Sequence, residues 1–362
     1  MKLDEIQNYV RQFINEGSEI HLYLVLKEQQ EGEVKYCKYL ANVESSGNTT
    51  YALMKLFTGY LKERVLDNNE LNTSGLEELP RLSSSDDVPG RIYVYDYALD
   101  NIPDGLVLFK DFELDKDGDE NYDIDQEPKF DFKKHKLENI FGYMIHLHAG
   151  DNSCLLFKKH FNVHLIKHDK YLFGLIDDSR LKKLDGDYLK LDGKVELLKI
   201  KNEIFVLDVK TLESHLGLDT LIKKDAVKGL KLIEKLKIVQ NLDVLKEHSM
   251  ANLSLAKKLA KISRVSPVLI QNISKDTIIK FAKGNDILKD RFKFDRGQIK
   301  LTKKSIPAFL NLMNDAYLTS ELTKEFYEAH SKDRMVKASR VKKMICDAEY
   351  VFLAEYWLLL TH

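Results

Sequence analysis

Polar and apolar positions change their period along this chain, and the change divides it. Residues 3–15, LDEIQNYVRQFIN, repeat apolar positions every three to four residues and predict an amphipathic helix. EIHLYLVL (19–26) and VKYCKYLA (34–41) alternate apolar and polar positions, with many aromatic and β-branched residues, and predict a hairpin. Residues 48–66 return to helical spacing, with Leu53, Met54, Leu56, Phe57, Tyr60, Leu61 and Val65 on a broad stripe. Residues 72–90 read as a loop from their Ser, Pro and Gly, and RIYVYD (91–96) as a strand. After an acidic loop at 111–128 come six short apolar runs: FGYMIHLH, SCLLFKK, FNVHLIKH, DYLKL, KVELLKI and EIFVLDV. Runs of that length at that spacing predict an antiparallel meander.

From about residue 217 the period is helical. Residues 219–248 form one long periodic run, read as a single helix about 40 Å long with a stripe through Leu221, Ile222, Leu230, Ile233, Leu236, Val239 and Leu242. Shorter helices follow in NLSLAKKLAKI, SKDTIIKFAKG and KSIPAFLNLMND. The fold class is α+β. An antiparallel, β-rich part with flanking helices (1–215) precedes a helical part (216–362). The stripe of the long run predicts a homodimer held partly by that helix.

Charge sharpens the division. Residues 1–150 hold 16 basic against 29 acidic residues, residues 151–362 hold 40 against 28, and residues 251–310 alone hold 14 against four. A basic half beside an acidic half points to a polyanionic partner. In 252–263, Leu255, Leu259 and Ile262 point inward, which leaves Lys257, Lys258 and Lys261 on the other side and Arg264 at the end. RFKFD (291–295) reads as a strand with Phe292 and Phe294 on one face and Arg291 and Lys293 on the other, and Asp295-Arg296-Gly297 as a turn presenting Arg296. Lys275 extends the set. Phosphate contacts need only Lys and Arg spread over a face. The plainer reading is a solvated face in a lysine-rich chain.

Sharper constellations fail on their spacing. In ELDKDGDENYDID, Glu113, Asp115, Asp117 and Gly118 fit a calcium loop, but the twelfth position is Ile124 where a bidentate carboxylate is needed. His146 and His148 alternate on a strand, and His160, His164 and His168 recur every four residues in a stretch read as strand, where residues four apart lie about 13 Å apart. No metal ligand set is assigned, and Cys37, Cys154 and Cys346 are too far apart for a zinc or disulfide framework. Asp192 with Asp208-Val-Lys210 loosely echoes a metal-dependent nuclease. No phosphate-binding glycine loop or nucleophile elbow is present. Catalytic residues and cofactors are therefore expected to be none, with a nuclease or an interaction scaffold as the alternatives. In NDAYLTSELTKEFYEAH (314–330), the hydroxyls and carboxylates read as a helix end, a capped turn and a new strand rather than a catalytic loop.

NEIFVLDVKTLE (202–213), the Lys-Leu-Ala-Lys and Val-Ser-Pro-Val segments, RFKFDRGQIKL and NDAYLTSELT together resemble the family of KwaB, the soluble subunit of the Kiwa anti-phage defence system. GLVLFKD (105–111) and residues 139–167 match the β-rich part of that family, so the resemblance covers most of 90–335. It implies binding of double-stranded DNA without marked sequence preference and a membrane-embedded, KwaA-like partner. No run of about 18 apolar residues occurs, so the expected location is cytoplasmic, with recruitment to the inner face of the membrane through that partner. Residues 335–362 match nothing in the family. Their apolar run (Val351, Phe352, Tyr356, Trp357, Leu359, Leu360) is read as a helix docked on its own domain, or else as the tether.

Overall fold

The alternation of apolar residues in the β-strands is the key to the architecture, because it feeds two cores from one sheet. A computed structural model describes residues 1–15, 18–44, 47–73, 76–84, 88, 90–97, 102–114, 124–166, 172–177, 180–184 and 188–329. Helix α1 (Leu3–Asn15) leads into β1 (Glu19–Gln30) and β2 (Glu33–Leu40), paired antiparallel. Their turn places Glu31 and Gly32 at φ +55° and +86°, the left-handed pair that a tight hairpin requires. Helix α2 (Gly47–Leu61) ends in a π-helical turn, and α3 (Asn69–Thr73), β3 (Tyr93–Val94) and α4 (Asp104–Lys110) follow. Next come β4 (Ile140–Ala149), β5 (Asn152–Lys159), β6 (Leu165–Ile166), β7 (Leu172–Asp177), β8 (Arg180–Leu184), β9 (Tyr188–Leu189), β10 (Leu197–Ile200) and β11 (Glu203–Val206).

Seven of these strands form one antiparallel sheet in the order β2-β1-β4-β5-β10-β11-β3, while β6–β9 and β7–β8 pair separately. One face carries Leu22, Leu24, Leu26, Tyr143, Ile145, Leu156 and Leu198, which pack with Ile6, Val10 and Phe13 of α1 and Phe57 and Leu61 of α2. The intervening residues Tyr23, Val25, Met144, Leu155, Phe157 and Leu197 point the other way. They share a core with the C-terminal helices, which runs without a break across residue 215.

Those helices are α5 (Val209–His215), α6 (Leu218–Leu236), α7 (Leu242–Ala251), α8 (Leu253–Val265), α9 (Pro267–Ile270), α10 (Lys275–Gly284) and α11 (Asp286–Arg291). The hairpin β12 (Lys293–Asp295) and β13 (Gln298–Lys300), helix α12 (Ile306–Met313), and the hairpin β14 (Tyr317–Thr319) and β15 (Phe326–Glu328) complete the described chain. The α+β class holds.

Several expectations need correction. The run 219–248 is two helices. Lys237 takes φ +52° and ends α6, and the β-branched pair Ile238-Val239 runs beside β13, with Ile299 N–H donating to Ile238 O at 2.8 Å. Asn241 then exchanges two side-chain hydrogen bonds with Leu301, each 2.8 Å, before α7 begins. The α6 stripe (Leu218, Ile222, Ala226, Leu230, Ile233) is buried inside its own chain, so no long free stripe exists to hold a twin. GLVLFK, within the β-rich part, is helix α4, with Leu106 and Phe109 buried in the core shared with the sheet. FNVHLIKH begins with a 3-10 turn (Asn162–His164), which brings the His160 and His164 rings to 5.9 Å. Arg291 closes α11 instead of opening a strand, and the sheet takes only Tyr93–Val94 from RIYVYD. The calcium-like residues 115–123, His168, His330 and the apolar run of 345–360 lie outside the described residues.

Candidate nucleic-acid interface

The eight basic candidates separate into two places. Helix α8 starts at Asn252, whose side chain accepts from the Leu255 N–H at 3.2 Å. Leu255, Leu259 and Ile262 are buried against α6, as their spacing predicts. The opposite side does not face open solvent. Lys257, Lys258 and Lys261 line a cleft of about 430 Å³ between α8, the sheet edge at Ser83, Tyr93 and Tyr97, Glu213 of α5, and Asn311 and Asn314 at the end of α12.

Two of these lysines are held by specific partners. Lys257 Nζ lies 2.5 Å from the Glu213 carboxylate. Lys258 Nζ donates to Asn311 Oδ1 at 2.6 Å, Asn311 Nδ2 donates to Glu328, and the second Glu328 oxygen accepts from Arg291 at 3.2 Å. One chain of polar contacts thus joins the cleft to Arg291 at the surface. Arg264 is committed more fully. Its Nε and Nη2 each lie 2.7 Å from Asp225, its Nη1 donates to Asp96 O at 3.1 Å, and its guanidinium sits 4.5 Å from the Tyr97 ring centre. Burial works to raise the Asp225 carboxyl pKa, but hydrogen bonds from Lys228 and Arg264 overcome it and leave the group below its usual range. Arg264 therefore braces α8 against α6 and the sheet edge. The sequence suggested no such role, because Asp225 sits in a lysine-rich stretch 39 residues away.

The other candidates form an exposed surface. Lys275 begins α10 half-buried, and Lys280 and Lys283 follow it exposed. Lys283 Nζ sits 5.2 Å from the Phe294 ring centre. In the β12–β13 hairpin, Phe294 and Ile299 turn inward while Lys293 and Lys300 stand opposite one another on the outer face. Arg296 (φ +47°) and Gly297 (φ +70°) form the tip, as the turn chemistry predicts.

The carboxylates of the nuclease echo, Asp208 and Asp192, each have a partner within the chain. Asp208 caps α5, accepting from Thr211 N at 3.2 Å and from its hydroxyl at 2.9 Å. Asp192 lies 3.9 Å from Lys158 Nζ, which is 2.9 Å from Glu196. Burial pushes the Glu196 carboxyl up to about 7, against the pull of Lys158. Sequence reasoning missed both Glu196 and Lys158, because Glu196 just precedes the short strand β10, Lys158 is one of two lysines ending β5, and only the pairing of those strands brings them together. Among the described residues, no three His, Cys, Asp or Glu side chains converge as metal ligands. Also among them, no helix is long and apolar enough to cross a membrane.

The stretch from Asn314 behaves as a helix end. Asn314 caps α12, Asp315 turns at φ +53°, and the Ser320 hydroxyl accepts from the Thr323 N–H at 3.1 Å. Tyr317 then stacks on Phe326 with ring centres 5.5 Å apart.

This basic surface and its supporting helices fall within a segment with recognisable relatives. Residues 137–323, from the 3-10 turn before β4 to the turn before β15, match the family described as Kiwa protein KwaB-like. The chain is also 29% identical over 296 residues to Kiwa protein KwaB of Escherichia coli O55:H7 (strain RM12579 / EPEC), covering 80% of this chain and 88% of that protein. No solved structure matches it. The matched segment takes in over half of the chain, including four sheet strands and every basic candidate, so the chain belongs to the KwaB-like family of the Kiwa anti-phage defence system.

Proposed function

We propose that this protein binds double-stranded DNA without marked sequence preference and without cutting it, beside a membrane-embedded, KwaA-like partner. The observation that carries the reading is the exposed basic surface of α10 and the β12–β13 hairpin. Lys293 and Lys300 stand opposite each other, a like-charge pair that costs energy in isolation and is relieved by a phosphate backbone. With Lys280, Lys283 and Arg296 they offer cations on an exposed surface, and cations spread over a surface suit contact with phosphates. Lys275 and Arg291 flank this edge. The KwaA-like partner rests on the family alone, as does recruitment to the membrane. A dimer is retained as part of the proposal, with its contact elsewhere than on α6.

Gel shifts of a random-sequence duplex at two salt concentrations, with and without Mg²⁺, test the reading. Affinity should fall steeply with salt. Replacing Lys293, Arg296 and Lys300 with glutamate should abolish the shift. Three lost phosphate contacts correspond to a salt slope shallower by about 2.7 in any residual binding. Unchanged binding by the triple variant would remove this surface. Mg²⁺-dependent strand scission, lost in Asp208→Ala, would favour the nuclease instead.

A further inference from the structure

Lys159 carries a charge that the chain holds without neutralising. It ends β5 half-buried, and its Nζ donates to Phe141 O at 2.8 Å and to His160 O at 2.7 Å. The same nitrogen sits 4.4 Å from the Phe141 ring centre and 5.3 Å from that of Phe161. Carbonyls and ring faces support an ammonium but carry no counter-charge, and one of its three protons is left over. Glu196 favours the charge through space, yet its carboxylate oxygens are taken by Lys158 Nζ and the Lys159 backbone N–H. Burial, and after it the repulsion of Lys27 in β1, hold the ammonium below the usual lysine range against that pull. Lys27 is exposed and has no hydrogen bond or ion pair among the described residues.

Both lysines line a cleft of about 510 Å³, within the ~300–1,000 Å³ typical of small-molecule sites. Its walls are aromatic. Phe141 and Phe161 face it, and His215 packs edge-on to Phe161 with ring centres 5.0 Å apart. His160 lines it too, 1% exposed, with neither ring nitrogen partnered. Burial, followed by the charges of His164 and Lys159, holds this imidazole down to about 4, so it is neutral and has one donor and one acceptor unused. Buried polar side chains are nearly always paired, and an unpaired one at a cleft wall marks a place for a ligand atom.

We infer that this cleft binds a small aromatic carboxylate. The carboxylate would sit between Lys27 and Lys159 and take the spare Lys159 proton. The ring would lie against Phe141 and Phe161, with His160 at its edge. Glu138 also lines the cleft, and its charge set against the two lysines favours a ligand with one negative charge over one with two. The inference is independent of the duplex-binding surface, since no lining residue lies in α10 or the β12–β13 hairpin.

Isothermal titration calorimetry of the full chain with indole-3-carboxylate, its neutral carboxamide twin and acetate tests it. The aromatic carboxylate should bind at least tenfold more tightly than the carboxamide, which lacks the charge, and than acetate, which lacks the ring. Lys27→Glu should weaken it at least tenfold while leaving the urea midpoint unchanged, because the side chain is exposed. Lys159→Met keeps most of the stem and removes the ammonium, and it should abolish the preference for carboxylate over carboxamide. If Lys159→Met does not fold, Lys27→Glu decides alone. No heat with millimolar indole-3-carboxylate, equal binding of the carboxamide, or a carboxylate preference that survives Lys27→Glu would overturn the inference.

Discussion

Gly229 is where α6 and α8 come closest, and replacing it with alanine tests how α8 is held. A Cβ built on Gly229 would stand 2.2 Å from the Leu259 carbonyl oxygen and 3.0 Å from its carbon. Ordinary contact begins near 3.4 Å, so the two helices must part by about 1.2 Å. The obstacle is backbone and cannot rotate away. Overpacking of this kind costs typically ~1–3 kcal/mol, and a rigid obstacle places it at the upper end. Alanine recovers ~1 kcal/mol of helix propensity, which leaves a net loss of ~2 kcal/mol. In urea that amounts to a midpoint lower by roughly 0.7–1 M for a slope of ~2–3 kcal/mol/M.

Gly59 in α2 is the control, since a Cβ there meets nothing within 4 Å. Gly59→Ala should therefore stabilise, by ~0.5–1 kcal/mol. Urea unfolding of the two variants beside the parent reads both signs. A Gly229→Ala protein as stable as the parent would refute the close α6–α8 crossing, and with it the placement of Lys257, Lys258 and Lys261.

Two further outcomes follow from the structure. Burial, followed by the charges of His21, His148 and Lys38, holds buried His146 down to about 3. The unfolded chain therefore takes up the proton first, so the contribution of this group is full above its ordinary value of 6.5 and is lost as pH falls toward 3. The parent should lose up to ~1.4 kcal/mol per pH unit from this group below 6.5, and His146→Leu should show a correspondingly flatter decline in urea midpoint between pH 7 and 5; equal declines would refute it. Light scattering at low micromolar concentration should report about twice 42.0 kDa, and a clean monomer would remove the dimer.

Much of the fold was legible because local and global preferences agree. The hairpin from Glu19 to Leu40 has strict alternation and a Glu-Gly turn, and it appears at its predicted place. Helices α8, α10 and α12 begin where a cap or an early proline says they should. Misreadings arose where tertiary contacts override pattern. Lys237 to Gln240 keeps the helical period, yet its backbone pairs with Ile299, a partner about 60 residues away that no local window can see. RFKFD alternates from Arg291, yet Arg291 closes α11 and the strand begins only at Lys293.

The candidate site was legible as charge but not as geometry. Helical spacing puts Lys257, Lys258, Lys261 and Arg264 opposite an apolar stripe, and that much is correct. Spacing cannot say what lies against the polar side. Here it meets Glu213, Asn311 and Asp225, brought from α5, α12 and α6 by the packing of the common core. A basic face covered in this way offers a polyanion fewer free cations than its composition suggests. The hairpin residues Lys293, Arg296 and Lys300 are fewer, but they stand on an edge that nothing in the described chain covers. On the proposed reading, three exposed cations at the hairpin offer a duplex more phosphate contacts than four that line a cleft or brace a core, even though the α8 lysines look denser in sequence.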